Sequence, residues 1–203
     1  MPVVLLHGLG QSPDSWDAVV RELGTEALCP DLFALLRGAA AHYSNLFRRF
    51  AAYCEGLSGP LRLCGLSLGG VLALQYAAER PERVESLVLI GTPCAMPKRL
   101  LQFQNLLFRL MPEGAFRQMG LSRRDLTALT RSMLNLDFRA DLGRIACPVL
   151  VLCGERDRAN RKAARDLQAG LPRAELAWVP GAGHEVNVDA PRELSNIIKQ
   201  FYN

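Results

Sequence analysis

Four stretches of nearly continuous aliphatic residues are the clearest hydrophobic pattern in the chain, and two weaker stretches resemble them. Runs of this kind are typical of parallel strands that helices cover on both faces. The predicted strands are, in chain order, Val3–Leu6, Glu26–Cys29, Leu61–Cys64, Val84–Ile90, Val149–Leu152 and Glu175–Val179.

Helix-sized segments with start and stop signals separate these runs. Ser12 and Pro13 are typical of a helix start, and Gly24 of a helix end. A second helix is predicted at Leu68–Glu79, before an Arg-Pro pair. This alternation predicts an α/β fold, doubly wound, with about six mostly parallel strands and helices on both faces. Ligand sites in such folds lie at the carboxyl ends of the strands.

One long segment breaks the alternation. Between Pro93 and Asp141 there is no convincing strand, and apolar residues recur at helical spacing. We therefore expect a helical lid at about 93–141, inserted between two strands of a single domain, 1–203. The core of that domain is expected to consist of residues 1–92 and 142–203.

Composition and charge exclude several classes of protein. The 203 residues carry a formal net charge of only +4, and the basic residues are scattered among acids, which argues against nucleic-acid binding. No apolar run is long enough for a membrane span, and the first residues do not resemble a secretion signal. Without such a signal we expect a cytoplasmic location. The six cysteines form no CxxC pair, so we expect reduced thiols and no metal site.

Gly65-Leu66-Ser67-Leu68-Gly69 directly follows a predicted strand and precedes a predicted helix. This context makes a G-x-S-x-G pattern informative, because the sharp turn exposes the serine hydroxyl. The glycines leave room where the strand and the helix crowd together. Ser67 is therefore the candidate nucleophile, although a purely structural glycine turn is the alternative.

A serine nucleophile requires a base and a group that orients the base. Asp157 follows the fifth predicted strand and His184 follows the sixth, so the chain order is Ser, Asp, His. We expect His184 to accept the serine proton and Asp157 to fix the imidazole tautomer. Asp157 as a solvated loop acid, or Glu155 as the orienting group, is the alternative.

Two backbone N–H groups are expected to bind the oxyanion that forms during acyl transfer. One is that of Leu68, which follows the nucleophile, and the other is that of Leu9 in the His7-Gly8-Leu9-Gly10 loop. We interpret His7 as a brace for this loop. His42 follows no strand and is expected at the surface.

Together these motifs resemble the α/β-hydrolase superfamily, over nearly the whole chain. The residues that carry the resemblance are His7-Gly8-Leu9-Gly10, Gly65-x-Ser67-x-Gly69-Gly70, Pro81-Glu82-Arg83-Val84, Gly154-x-x-Asp157 and Gly181-x-Gly183-His184. Two departures are a first strand that begins almost at Met1, without the preceding hairpin of many members, and Pro30-Asp31-Leu32-Phe33-Ala34 in place of a D-x-P-G-x-G loop.

The compact size and the Leu89–Cys94 stretch are similar to carboxylesterases that act on pimeloyl-carrier-protein methyl esters. The resemblance implies a serine hydrolase that cleaves an ester or thioester through acyl-Ser67, without metal or organic cofactor. Alternatives are a receptor that keeps the triad but turns over slowly, and a lyase or carbon–carbon hydrolase.

Charge is concentrated in the predicted lid. Residues 93–141 contain eight basic and four acidic side chains, so this segment alone has a net charge of +4. One interpretation is a solvated outer face of the lid. The other, which the resemblance implies, is a docking surface for an acidic carrier protein that bears the acyl group.

Overall fold

The computed structural model of the chain describes residues 1–96, residue 98 and residues 121–203. Within these residues, six strands form one parallel sheet in the order β2-β1-β3-β4-β5-β6. The strands are β1 Val3–Leu6, β2 Ala27–Leu28, β3 Leu61–Leu66, β4 Val84–Ile90, β5 Val149–Gly154 and β6 Ala174–Val179.

Eight α-helices are found in the described part of the chain, together with short 3₁₀ turns at Pro13–Trp16, Pro81–Arg83 and Leu142–Arg144. The helices are α1 Asp17–Leu23, α2 Leu32–Leu35, α3 Tyr43–Glu55, α4 Leu68–Glu79, α5 Arg123–Met133, α6 Arg161–Gly170, α7 Val186–Asp189 and α8 Pro191–Tyr202.

Helices cover both faces of the sheet, and each face has its own apolar core. Side chains alternate along a strand, so Val3 and Leu5 of β1 belong to one core while Val4 and Leu6 belong to the other. Helices α1 and α8 supply the first core, and α3, α4 and α6 contribute to the second. The predicted fold class is confirmed.

All six predicted strands form, and β1 and β4 have the predicted bounds. β3 and β5 run two residues beyond their predicted ends, whereas β2 contains only two residues. At the first predicted helix, Ser12 precedes a 3₁₀ turn that leads into α1, and Gly24 ends α1 in the left-handed conformation at φ 66°. Helix α4 has the predicted bounds.

Part of the predicted lid, 93–141, lies outside the described residues. In its described part, helix α5 buries Leu126, Leu129 and Met133, and Ala95 forms an isolated antiparallel bridge with Asp137. No helix among the described residues is both long enough and apolar enough to span a bilayer.

Candidate active site

Backbone hydrogen bonds continue beyond the carboxyl ends of neighbouring strands and fix the loops that follow them. The Ser67 N–H donates to the Ile90 carbonyl at 2.8 Å, and the Gly91 N–H donates to the Leu152 carbonyl at 2.9 Å. The Glu155 N–H likewise donates to the carbonyl of the last β6 residue at 3.0 Å. The loops after β3, β4, β5 and β6 are thereby held side by side at one edge.

Ser67 stands at a strained turn between β3 and α4. Its φ of 51° and ψ of −109° make it the only non-glycine residue with positive φ in the described part of the chain. Gly65 lies against the backbone of Gly69, and Gly69 lies against the carbonyl of Leu6, so a Cβ atom at either glycine would collide with backbone. The tight turn that the sequence predicts is therefore present.

Asp157 and His184 are brought together by the loops after β5 and β6. His184 Nδ1 lies 2.7 Å from Asp157 Oδ2, which is a short hydrogen bond between an imidazole N–H and a carboxylate. The Asp157 side chain is 5% exposed, whereas the His184 side chain is 41% exposed. The carboxylate is thus buried, whereas the imidazole that contacts it is partly exposed.

Hydrogen bonds keep this buried carboxylate ionised. Burial alone would raise the pKa of Asp157, but hydrogen bonds from His184 and Asn160 outweigh it, so the pKa lies below its ordinary value. The Asn160 side-chain nitrogen is 3.0 Å from Oδ1 and 2.9 Å from Oδ2 of Asp157. Asn160 was not predicted from the sequence, where its only signal was a polar residue three positions after the candidate acid.

Gly91, which the sequence analysis did not single out, lies directly against the imidazole. A Cβ atom at this position would be 2.9 Å from Cε1 and 3.0 Å from Nδ1 of His184, and 3.5 Å from Asp157 Oδ2. Its φ is 54°. The ring of His184 thus contacts the residue next to Ile90, to which the Ser67 N–H is hydrogen-bonded.

The loop after β1 lies beside the same edge. A Cβ atom at Gly8 would be 3.3 Å from Leu66, the residue before Ser67. Leu9 is half-buried next to Gly8. Leu68 begins α4, so its N–H has no acceptor within the helix. Both predicted oxyanion donors therefore belong to segments that lie next to the serine turn.

The buried side chain of His7 holds the loop after β1 in place. It is fully buried, its Nε2 accepts the Leu32 N–H at 3.1 Å, and its Nδ1 lies 3.0 Å from the Gly8 carbonyl. These partners require a neutral ring with its proton on Nδ1. Burial lowers the pKa of His7, which favours that neutral form.

A buried amide network joins the β1 loop to the segment after His184. The Gly8 N–H donates to Gln11 Oε1 at 3.1 Å, and Gln11 Nε2 donates to Asn187 Oδ1 at 3.2 Å. Asn187 Nδ2 also donates to the Ser15 carbonyl at 3.1 Å. Neither amide was singled out from the sequence, because only the folded chain brings residues 176 positions apart together.

Glu155 and His42, which were also considered as site residues, form hydrogen bonds elsewhere in the structure. Glu155 Oε2 accepts the Gly181 N–H at 3.0 Å and is not the partner of His184 in the structure. His42 is exposed and its Nδ1 accepts the Ser44 N–H at the start of α3. Among the described residues, no three His, Cys, Asp or Glu side chains lie close enough together to hold a metal ion.

Comparison with known proteins agrees with this architecture. A model of the alpha/beta hydrolase family matches residues 3–197. The chain is 28% identical over 231 residues to a pimeloyl-[acyl-carrier protein] methyl ester esterase of Nitrosomonas europaea, covering 95% of this chain and 92% of the relative. It is 30% identical over 226 residues to the esterase of the same name from Chromobacterium violaceum, covering 90% and 86%.

A solved carboxylesterase structure from Nitrososphaera gargenis superimposes with a TM-score of 0.82 at 17% identity, covering 99% of this chain and 89% of that chain. At 17% identity, this similarity shows a shared fold and no more. The relatives confirm the resemblance to small carboxylesterases and the prediction of a hydrolase. With a family match that spans nearly its whole length, the chain belongs to the alpha/beta hydrolase family.

Proposed function

We propose that this protein is a serine hydrolase that cleaves a carboxylic ester or thioester through an acyl-Ser67 intermediate. The observation that carries the proposal is the 2.7 Å contact between His184 and Asp157 next to the strained turn of Ser67. Because Asp157 accepts the Nδ1 proton, Nε2 of His184 is free to act as a base.

Acylation follows from these roles. His184 Nε2 takes the proton of the Ser67 hydroxyl as its oxygen attacks the carbonyl carbon of the substrate. The tetrahedral intermediate then collapses, the bond to the leaving alcohol or thiol breaks, and His184 returns the proton to the leaving group. Asp157 stabilises the imidazolium that forms between the two proton transfers.

The oxyanion of the intermediate is bound by the backbone N–H groups of Leu68 and Leu9 in this proposal. Each such donor contributes about 3 kcal/mol to catalysis. His184 then takes a proton from water as the water oxygen attacks the acyl carbon. The bond between Ser67 Oγ and that carbon breaks, His184 returns the proton to Oγ, and the acid is released. No metal or organic cofactor takes part in either half of this reaction.

The substrate class is supported by the relatives, two of which are named as esterases of a carrier-protein methyl ester. We propose a small ester or acyl group as the reacting part and an acidic carrier protein that docks at residues 93–141. The net charge of +4 in that segment supports the docking step. Six cysteine thiols, four of them buried, support a cytoplasmic location.

Replacement of Ser67 by alanine tests the mechanism. Ser67→Ala is expected to fold normally and to lose up to about 10⁶-fold in kcat with p-nitrophenyl butyrate, as is His184→Ala, because the triad acts as a unit. Asp157→Asn should lose about 10⁴-fold, since it favours the wrong imidazole tautomer.

Ser58→Ala, at an exposed serine in another turn, is the matched control and should retain wild-type kcat. Near-wild-type turnover by purified Ser67→Ala would refute the acyl-serine mechanism. Stoichiometric ligand binding without turnover of any ester would favour a receptor instead.

A further inference from the structure

Asn160 directs its side-chain amide nitrogen at the carboxylate of Asp157. Its Nδ2 lies 3.0 Å from Oδ1 and 2.9 Å from Oδ2, and its backbone N–H lies 3.3 Å from Oδ1. The carboxylate therefore receives donors from Asn160 on both oxygens, in addition to the imidazole N–H of His184.

Asn160 immediately precedes helix α6, a position where asparagine commonly caps a helix. Here the side chain makes no capping hydrogen bond to α6. The amide is turned away from the helix and towards Asp157, so helix capping does not explain its orientation.

The same amide nitrogen lies 3.2 Å from His184 Nδ1. Nδ1 donates its proton to Asp157 Oδ2 and has no lone pair left to accept from the amide. The amide and the imidazole are therefore two donors that share one acceptor, and the positive ends of the amide N–H bonds face the ring.

We propose that Asn160 is a positioning residue that holds the Asp157 carboxylate in place and limits how strongly that carboxylate favours the protonated form of His184. The inference rests on the proposed function, in which His184 works as a neutral base. An amide that shares the carboxylate weakens the attraction of that carboxylate for an imidazolium, so removal of the amide strengthens this attraction.

Other charged groups around the imidazole remain the same when Asn160 is replaced. Asp189 Oδ2 accepts the Gly183 N–H at 2.7 Å, and Glu155 is held by the loop before His184. Glu185 follows His184 directly, and the Arg156 guanidinium lies near Gly181. Across the ring, the backbone of Gly91 in the loop after β4 lies against the imidazole. A change in pH dependence in an Asn160 variant therefore reports on the amide.

The test is the pH dependence of kcat/KM for p-nitrophenyl butyrate at constant ionic strength. In Asn160→Leu, which keeps the size but removes both side-chain donors, the midpoint of the acid limb should move up by about one pH unit. The plateau kcat should fall about tenfold with little change in KM, because the His184–Asp157 contact is less well oriented. Asn160→Ser, with one hydroxyl donor, should shift the midpoint by less.

Gly24→Ala is the matched control, because Gly24 ends helix α1 in the left-handed conformation at φ 66° and a Cβ atom there would have no neighbour within 4 Å. It should lower the melting temperature and leave the midpoint unchanged. If Asn160→Leu and Asn160→Ser both keep the wild-type midpoint, whatever their melting temperatures, the positioning role is wrong. An active Ser67→Ala protein would instead overturn the proposed function, so the two failures are distinguishable.

Discussion

Gly91→Ala tests whether the close contact between the β4 loop and the imidazole matters for activity. The new Cβ atom would lie 2.9 Å from Cε1 and 3.0 Å from Nδ1 of His184. Carbon atoms in ordinary contact are about 3.5 Å apart or more, so the ring has to retreat by about 0.6 Å. In addition, the φ of 54° at Gly91 costs an alanine about 1–2 kcal/mol.

The two effects appear in different measurements. The backbone strain should lower the free energy of unfolding by about 1–2 kcal/mol in urea titrations followed by circular dichroism. The displaced imidazole should lower kcat for p-nitrophenyl butyrate by about 10- to 100-fold, since misplacement of a catalytic group by about 1 Å can cost 100-fold.

Gly24→Ala provides the matched control. Gly24 has a similar φ of 66°, and a Cβ atom there would have no neighbour within 4 Å. This variant should lose similar stability and keep full activity. If Gly91→Ala loses only stability and retains kcat within about twofold of wild type, the contact with His184 has no catalytic consequence and the reasoning is refuted.

Two further predictions concern the pH dependence of stability and the association with a carrier-protein substrate. Burial lowers the pKa of His7, so the folded state resists a protonation that the unfolded state accepts. The free energy of unfolding should therefore have its full value above pH 6.5. Below pH 6.5 it should fall by up to about 1.4 kcal/mol per pH unit. In His7→Gln, whose amide oxygen can accept the Leu32 N–H, urea titrations at pH 7.5 and 5.5 should show a smaller loss, and an equal loss would contradict the assignment. For an acyl-carrier-protein ester, kcat/KM should fall steeply with ionic strength while a neutral ester changes little. Replacing Arg123 and Arg124 by glutamate should reproduce that selective loss at low salt, and equal effects on both substrates would exclude docking at this segment.

The sheet was predictable because buried parallel strands need continuous aliphatic runs, which few other structures require. The ends of the strands were less predictable, because Gly65 and Gly154 read as turn residues although neighbouring strands hydrogen-bond them into β3 and β5. The contact between Asp157 and His184 also followed from the sequence, since both residues come after adjacent strands of a parallel sheet.

The residues that contact Asp157 and His184 could not be predicted from the sequence in the same way. The contact between Gly91 and the imidazole depends on how the β4 and β6 loops approach each other. The orientation of the Asn160 amide depends on its hydrogen bonds with the folded Asp157 loop. Periodicity and motif spacing report which loops meet, whereas side-chain contacts within those loops depend on the folded geometry.

The amide pair of Gln11 and Asn187 also has a consequence for the order of events during synthesis. The Gly8 N–H donates a hydrogen bond to Gln11, and Gln11 in turn donates to a residue that lies 176 positions later in the chain. Because a ribosome makes the chain from its amino terminus, the first loop emerges long before that partner exists. A nascent chain that stops short of Asn187 therefore has an incompletely tethered first loop.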